Sequence, residues 1–448
     1  MLTIDKARER VQDAVARAVR AGADAADAML VRNRSLSVSV RMGALEDVGR
    51  SESEEMGVRV FVGQRSATIS TTDLVPDALD EAVERALKMA REAPEDRWAG
   101  LAPQDRLMHG DPPLLDLDDG AEVEPDALKE RALIAEEAAR AVPGVTNSEG
   151  AGAGANRTII ALATSHGFAG AYAVTSHGLS ASVLAGSGSA MERDHAHHSA
   201  RHESMLESPE TIGTRAGQRA VARLNPARVP SGAMPVVFDP RVSGSMLGHL
   251  MAAISGGAIT RKTSFLQDAL GTQVFASGIS IHDDPHIPRG LRSRAFDGEG
   301  LPVQPMAIIA DGMLETWLLD SAAARQLGLE PTGHAARGIG GNPGASASNL
   351  YMAAGHVPRE TLIGEIELGI LVTELIGQGV NGVTGDYSRG AAGFLIEKGE
   401  ITRPVSEITI AGNLTDMFRQ MTPASDLDFR YGLNAPSLRV DGMTIAGD

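Results

Sequence analysis

In residues 35–41 the sequence reads SLSVSVR, so that every second residue is apolar. Because successive side chains of a β-strand point to opposite faces of the sheet, this alternation predicts a strand with one buried face. Residues 58–62, VRVFV, repeat the pattern, and Gly63-Gln64 is placed to turn the chain into a further strand. The sequence therefore predicts antiparallel sheet near the start of the chain.

Amphipathic helices are predicted on both sides of these strands. Thr3 can cap a helix in which apolar residues recur at helical spacing, and Gly22 is placed to end it. A second helix is predicted to begin after Pro76 and to end at Pro94. The first unit, residues 1–93, thus has the order helix, strands, helix.

A second unit with a similar order is predicted further along the chain. Residues 94–124 are rich in Pro, Asp and Gly and are predicted to be a linker. Residues 125–230 then contain a helix, short alternating strands around residues 158–164, 170–176 and 179–184, and another helix. No residue-level repeat accompanies this order, so internal duplication is a hypothesis that rests on element order alone.

The last part of the chain, residues 231–448, has a different character. Strand-like runs are separated by Gly-rich turns, and one helix is predicted over residues 243–254. We therefore predict an α+β fold. It consists of N-terminal units of helix and antiparallel sheet, which duplication could explain, followed by a β-rich C-terminal domain.

Composition excludes several classes of protein. Of the 448 residues, 41 are Lys or Arg and 58 are Asp or Glu; the resulting charge of −17 opposes binding to nucleic acid or to anionic membranes. The lack of cysteine excludes disulfides, thiolate nucleophiles and zinc sites that need sulfur. No stretch approaches the ~20 apolar residues of a membrane span. We therefore expect a cytoplasmic protein with no membrane contact and no direct nucleic-acid partner.

Four histidines lie close together in the sequence: His195, His197, His198 and His202. The spacing of His198 and His202 would put two imidazoles on one face of a helix, where they could bind a divalent metal. The segment has charged residues and no apolar stripe, which favours a solvated loop or helix end.

His249 is the polar residue of the otherwise apolar helix predicted around residues 248–254. A single histidine in that setting is more often packed and hydrogen-bonded than catalytic. Composition and spacing alone thus predict a soluble α+β protein without an identifiable catalytic centre.

A family resemblance adds a function. Residues 377–394, GQGVNGVTGDYSRGAAGF, and residues 404–414, PVSEITIAGNL, closely resemble the C-terminal signature of the PmbA/TldE branch of the TldD/PmbA family, also known as peptidase U62 or modulator of DNA gyrase. The resemblance covers nearly the whole chain. It extends through residues 256–258, 261–266, 296–300 and 332–335.

The resemblance implies that this chain lacks the metal site of its relatives. TldD members carry His-Glu-x-x-x-His on the helix that opens the C-terminal domain, with a cysteine further on as a zinc ligand. The aligned positions here are Gly248, His249 and Ala253. These residues cannot supply the zinc ligands and the general base. The resemblance therefore implies no catalytic residue, no metal and no cofactor in this chain, with zinc in a TldD-type partner.

The function implied by the resemblance is that of one subunit of a TldD–TldE metalloprotease that cleaves unfolded peptides. The family is linked to microcin maturation, antitoxin degradation and modulation of DNA gyrase. Gly385, Asp386, Tyr387, Ser388 and Arg389 are the predicted peptide- or partner-binding residues, with the last four side chains expected to be exposed. A tight turn with only a structural role is the alternative for this segment.

Two other functions remain open at this point. The chain could be an independent metallohydrolase that uses His249 or the histidines of residues 195–202. It could instead regulate DNA gyrase or another assembly directly, without proteolysis. In the absence of the partner, the isolated chain could form a homodimer.

Overall fold

One six-stranded antiparallel sheet occupies the first half of the chain in the computed structural model, which describes residues 2–447. Its strands are β1 (Ala25–Arg41), β2 (Ala44–Val62), β3 (Arg65–Thr71), β4 (Val145–Thr164), β5 (Ala169–Ala185) and β6 (Glu192–Ala200). Their order across the sheet is β3-β2-β1-β4-β5-β6. The pairing of β1 with β4 therefore joins the strands of the first unit to those of the second.

Four helices cover one face of this sheet. They are α1 (Ile4–Arg20), α2 (Pro76–Glu92), α3 (Pro125–Arg140) and α4 (Pro209–Ala222). The apolar residues of α1 and α2 cluster with Ala28 and Leu30 of β1, whereas those of α3 and α4 cluster with Val38 of the same strand. These positions are an even number of residues apart, which places them on the same side of the strand. The predicted α+β class is confirmed.

The prediction of short strands in the second unit is wrong, because the three predicted segments belong to two longer strands. Residues 170–176 and 179–184 belong to one strand, β5, and residues 158–164 are only the end of β4. The ladder is not interrupted between the two predicted strands, because Gly178 pairs directly with Gly154 of β4. Both strands are rich in Ala, Gly and Ser, which give little contrast between apolar and polar positions.

Residues 94–124, the predicted linker, contain no α-helix or β-strand. Leu101 and Leu107 in this segment are buried. The guanidinium of Arg325 donates hydrogen bonds to the carbonyl groups of Trp98, Gly100 and Leu101 at 2.8–3.0 Å, so the segment is attached to the C-terminal part. The division of the chain at residues 93, 124 and 230 stays a prediction.

A closed ring of strands lies in the C-terminal part. The strands after β6 are β7 (Gly232–Phe238), β8 (Ile281–Asp284), β9 (Met306–Ala310), β10 (Met313–Leu314), β11 (Ala335–Ala336), β12 (Gly344–Ala345), β13 (Asn349–Met352), β14 (Leu368–Ile376), β15 (Asp386–Glu397), β16 (Glu400–Asn413), β17 (Met421–Pro423), β18 (Leu433–Asn434) and β19 (Leu438–Ala446). Strands β16, β15, β14, β7 and β19 pair in that order, and β19 also pairs with β16. A second sheet has the order β10-β9-β8-β13-β18.

Five helices accompany these strands. They are α5 (Pro240–Ala253), α6 (Gly256–Thr260), α7 (Ser321–Leu327), α8 (Arg359–Gly364) and α9 (Leu414–Arg419). Met246, Leu247 and Leu250 of α5 are fully buried in the largest apolar core, which also contains residues of both C-terminal sheets. This confirms the β-rich character predicted for the C-terminal part. Within residues 2–447, no helix combines the length and the apolar character needed to cross a lipid bilayer.

A buried ion cluster joins the N-terminal sheet to the C-terminal part. Asp27 of β1 accepts a hydrogen bond from Nε of Arg59 at 3.0 Å and also accepts one from Arg337, which follows β11. The three side chains are at most 6% exposed. Burial disfavours the charged carboxylate, but the two guanidinium groups lower the pKa of Asp27 below its ordinary value. Asp27 is therefore ionised, and its carboxylate lies between the two guanidinium cations of Arg59 and Arg337.

Candidate functional site

Helix α5 carries Gly248, His249 and Ala253, the three positions that the family resemblance aligns with the ligands and base of a metal helix. The helix begins at Pro240, and the side chain of Asp239 caps it by accepting a hydrogen bond from the Arg241 N–H at 3.0 Å. Gly248 is half-buried, and Ala253 is buried at 4% exposure. Neither residue can donate an electron pair from its side chain.

His249 of α5 packs edge-on against Tyr387 of β15, with ring centroids 5.8 Å apart. This confirms that the ring is packed, but its buried Nε2 atom has no hydrogen-bond partner within residues 2–447. Burial, and then the charge of Arg389, lower the pKa of His249 to about 4. The imidazole is therefore neutral near pH 7.

The residues present on α5 do not fit a zinc ion. A structural or catalytic zinc site needs at least three protein donors, and the aligned positions offer one displaced imidazole. The chain has no cysteine to complete the set. In the described part of the chain, no group of three or more His, Asp or Glu side chains is arranged to hold a metal ion.

The predicted binding residues of the signature lie at the start of β15, and their side chains alternate between its two faces. Asp386 and Ser388 are exposed, as predicted. Tyr387 and Arg389 are not, because they are only 1% and 9% exposed. The expected exposure of these two residues is therefore wrong. Successive side chains of a β-strand point to opposite faces, so Tyr387 and Arg389 point inward, and both face α5.

The loop before β15 folds back onto the strand. The backbone N–H of Ser388 donates to the carbonyl of Gly379 at 2.7 Å, and a Cβ atom on Gly379 would lie 1.8 Å from the Ser388 carbonyl oxygen. Only glycine allows this approach. Gly385 has a φ of 78°, and Asp386 accepts a hydrogen bond from the Thr384 hydroxyl at 2.6 Å. The signature thus specifies a close-packed loop as well as a surface.

A cleft of about 450 Å³ lies beside α5 and contains three arginine side chains. We name it the α5 cleft; it is defined by Arg241, Gly244, Gly248, Arg292, Arg389 and Tyr431. Its remaining lining residues are apolar or small, and none is a carboxylate. The cleft is therefore a cationic depression on a chain with a large negative charge.

The four clustered histidines do not form a metal site. They lie on or just after β6, so the helical spacing of His198 and His202 has no meaning here, and the predicted loop or helix end is also wrong. His195 and His197 stack at 5.9 Å on the exposed face of the strand. Nδ1 of His198 accepts a hydrogen bond from the backbone of Glu207, and His202 contacts the carbonyl of Asp116. The rings therefore separate into three environments.

Glu207 links the central part to the C-terminal part next to the α5 cleft. Its carboxylate accepts two hydrogen bonds from Arg215 of α4, both at 2.8 Å, and others from Arg430, including one at 3.1 Å. Hydrogen bonds from Arg215 and then Arg430 lower the pKa of Glu207 well below its ordinary value. Because Tyr431 lines the cleft, this contact fixes one of its walls.

The variant Glu207→Gln is expected to lower the free energy of unfolding by about 1–2 kcal/mol near neutral pH, since two charged donors lose their partner. The folded-state pKa lies below the ordinary 4.5, so the wild-type advantage is present above about pH 4.5 and disappears as the pH falls. Thermal unfolding of both proteins across this range measures it. A difference that grows on acidification would contradict the prediction.

Comparison with known proteins finds family models that match three successive segments of the chain. Residues 26–90, 118–224 and 231–447 match models described as PmbA/TldA metallopeptidase domain 1, central domain and C-terminal domain. The chain is 39% identical to Metalloprotease PmbA of Escherichia coli O157:H7, over 99% of this chain and 98% of that protein. The chain belongs to the PmbA/TldD metallopeptidase family. The family resemblance of the signature is thereby confirmed.

Solved structures of PmbA/TldD relatives share the fold over the whole chain. A proposed modulator of DNA gyrase from Bacteroides thetaiotaomicron superimposes with a TM-score of 0.91 at 29% identity, covering 100% of both chains. TldE from Thermococcus kodakarensis gives a TM-score of 0.87 at 23% identity, with 98% of this chain and 100% of that chain covered. The latter likeness concerns the fold alone.

Two other PmbA/TldD-like segments have structural roles in this chain. In residues 296–300, the Asp297 carboxylate accepts hydrogen bonds from the backbone of Glu299 and Leu301 at 2.9 and 2.8 Å. Burial, and then the charge of Glu299, raise the pKa of Asp297 to about 7. In residues 332–335, His334 bonds to Thr332 Oγ1 at 2.8 Å. These side chains organise turns in the interior.

Arg241, Arg292 and Tyr431 of the α5 cleft were not predicted from the sequence. Arg241 lies at the start of α5, Arg292 in an irregular segment before β9, and Tyr431 just before β18. No motif or spacing connects these positions. Arg389 was predicted as a binding residue, but as an exposed one. Only the folded chain places it beside the others.

Proposed function

We propose that this chain is the PmbA/TldE-type subunit of a cytoplasmic TldD–TldE metalloprotease complex that acts on unfolded peptides. In this proposal the subunit itself performs no bond cleavage, and zinc is held by a TldD-type partner. The names of the E. coli and Haemophilus influenzae relatives, Metalloprotease PmbA and a PmbA homolog, both at 39% identity, support the assignment to this branch.

The observation that carries the proposal is the state of helix α5. The family resemblance aligns Gly248 and Ala253 with the two histidines of a metal helix, and His249 is a neutral, half-buried residue whose ring packs on Tyr387. A metallopeptidase fold with no donor set is well suited to a supporting role. A partner chain must then provide the activated water.

The exposed part of the signature supports a contact with the partner or the peptide. Val383 in the loop and Ile376 at the end of β14 are each 55% exposed, and Asp386 and Ser388 lie exposed at the start of β15. Exposed apolar side chains near polar groups are typical of surfaces that bind other proteins. We expect this surface to be covered in the complex.

The alternative functions have less support. An independent metallohydrolase would need ligands beside His249, and the described residues offer none. The Bacteroides relative is described as a proposed modulator of DNA gyrase, and that description, which concerns the relative, is what suggests direct regulation of gyrase. No feature of the described residues favours gyrase over a protease partner.

The test compares the chain alone with the chain co-purified with a TldD-type protein. We expect no stoichiometric zinc and no hydrolysis of casein by the chain alone, and about one zinc per TldD-type chain with EDTA-sensitive hydrolysis in the complex. Elemental analysis and a peptidase assay measure both. A homodimer of the isolated chain is a further proposal, which light scattering measures in the same samples.

The variant His249→Ala serves as the control for a metal site on α5. We expect zinc content and hydrolysis of the complex to stay within about twofold of the wild type, because a single imidazole without further donors beside it does not hold zinc. If the wild-type chain purified alone held zinc and the His249→Ala chain did not, the metallohydrolase would be supported instead. Recovery of gyrase without a TldD-type protein in a native pull-down would support the regulatory function.

A further inference from the structure

The α5 cleft contains cationic charge that the protein does not neutralise. Arg241 forms two hydrogen bonds with the Asp194 carboxylate, at 2.6 and 3.2 Å, so its charge is balanced. Arg292 donates instead to neutral oxygens, the Ser346 hydroxyl at 2.8 Å and the Ala347 carbonyl at 2.9 Å. Within residues 2–447, two guanidinium groups of the cleft, those of Arg292 and Arg389, therefore form no ion pair with a carboxylate.

Arg389 is the more unusual of these two groups. Its side chain is nine-tenths buried, its Nε atom has no hydrogen-bond partner within residues 2–447, and it forms no ion pair there. An unpaired buried charge is costly and is normally compensated by a ligand or a counter-ion. Arg389 lines the cleft, so a bound anion can reach it.

The groups next to Arg389 add hydrogen-bonding capacity but no charge. The Tyr387 hydroxyl is buried beside the Arg389 guanidinium and donates to no acceptor in the described chain. Burial raises the pKa of Tyr387 above its ordinary value, so the hydroxyl keeps its proton and can donate. His249 is neutral and also has a free ring nitrogen. Neither group can balance the positive charge of Arg389.

The carboxylates around the cleft already have partners in the protein. Asp283, whose charge acts on Arg292, bonds to His334 at 3.1 Å and to Ser348 at 2.8 Å. Glu374, which precedes Leu375 in the cleft wall, is paired with Arg223, and Asp239 at the start of α5 is paired with Arg359. Glu374 and Asp239 cannot turn to Arg292 or Arg389 without leaving other arginines unpaired. A carboxylate in direct contact with Arg389 must therefore come from outside the chain.

The walls of the cleft indicate what carries that charge. Val242, Leu375 and Leu433 line it beside the guanidinium groups, and its volume of about 450 Å³ is in the range of small-ligand sites. A carboxylate on an organic chain satisfies both features, because guanidinium binds carboxylate well and the apolar walls can bury the attached carbons. Inorganic anions make no use of apolar walls.

We propose that the α5 cleft is a carboxylate-binding site for peptides, with Arg389 and Arg292 as its cationic residues. The C-terminal carboxylate and an acidic side chain offer the same chemistry. The proposal rests on the proposed function only for the choice of a peptide as the carrier. In a protease complex, such a site would hold one end or one acidic residue of the substrate while the partner performs the chemistry.

The test measures binding of short, N-terminally labelled peptides to the full chain alone by fluorescence anisotropy. We expect an Ala- and Val-rich peptide with a free C-terminal carboxylate to bind about tenfold more tightly than its amide, and added salt to weaken binding. Amidated peptides with Glu or with Gln form the second arm. Preference for Glu would identify a side-chain carboxylate as the source.

Two variants change the site from different elements. Arg389→Met removes the charge at similar volume, and Gly248→Phe places a ring in the cleft, where a Cβ atom meets only Leu433 Cδ1 at 3.9 Å. Each is expected to remove the carboxylate preference. Arg20→Met, a change of an exposed arginine on α1, is the matched control and should leave it unchanged.

The possible results separate clearly. Equal binding of the free-carboxylate and amidated peptides, together with equal binding of the Glu and Gln peptides, would overturn the proposal. An unchanged carboxylate preference in a Gly248→Phe variant with native circular dichroism would also overturn it. Inorganic phosphate that binds to the cleft while no peptide does would also overturn it. Because no partner and no cleavage enter this assay, failure of the protease assignment leaves its outcome unaffected.

Discussion

Asp27→Ala is expected to lower the free energy of unfolding by about 3–5 kcal/mol, the effect of removing one partner from a buried ion cluster. The variant leaves Arg59 and Arg337 buried at 6% and 0% side-chain exposure with no carboxylate between them. Their charges then repel each other in a medium that screens weakly. Few single changes in a protein have a larger effect.

The measurement is thermal and urea-induced unfolding of the full chain. Asp47→Ala, which removes an exposed carboxylate from β2, is the matched control and should change stability by no more than about 0.5 kcal/mol. Combining Asp27→Leu with Arg59→Met and Arg337→Met should recover much of the loss, because no unpaired charge remains. If Asp27→Ala matched Asp47→Ala, the cluster would not hold the two halves together.

Gly379→Ala is expected to displace the loop of residues 377–385 from β15. The new methyl carbon would lie 1.8 Å from the carbonyl oxygen of Ser388, a backbone atom that cannot rotate away. The loop must move, and the 2.7 Å hydrogen bond from the Ser388 N–H to the Gly379 carbonyl is lost. Overpacking of this kind costs about 1–3 kcal/mol, and more where backbone is involved.

Limited proteolysis and thermal unfolding together measure this change. We expect faster cleavage within residues 377–385 and a lower midpoint of unfolding in Gly379→Ala. Gly382→Ala in the same loop is the control, because its methyl group would meet only the Thr263 carbonyl oxygen, at 3.6 Å. Identical behaviour of the two variants would show that the close approach at Gly379 is not needed.

The parts of the fold that the sequence predicts are those specified by local periodicity. The alternation in residues 35–41 lies within β1, and the helix predicted after Thr3 is α1, whose cap the Thr3 hydroxyl provides by accepting the Lys6 N–H. The lengths of β4 and β5 could not be predicted in the same way. Their small residues alternate weakly, and pairing between the strands defines their extent.

The candidate site was predictable only in part, for a related reason. The signature identified Tyr387 and Arg389, but their inward orientation follows from the pleat of β15 and their partner His249 from the position of α5. Arg292 reaches the same cleft from a third segment. Contacts among residues so far apart in the sequence have no local pattern, so they require the tertiary structure.

The pairing of β1 with β4 has a consequence for attempts to divide the protein. β1 is the strand of the first unit that pairs with the second unit through β4. A fragment ending near residue 93 would therefore lack β4, and β1 would become an open sheet edge with unpaired backbone groups along its length. Open edges of this length recruit other strands. Such a fragment should dimerise through β1 or aggregate, which makes truncation a poor route to a small soluble version of this protein.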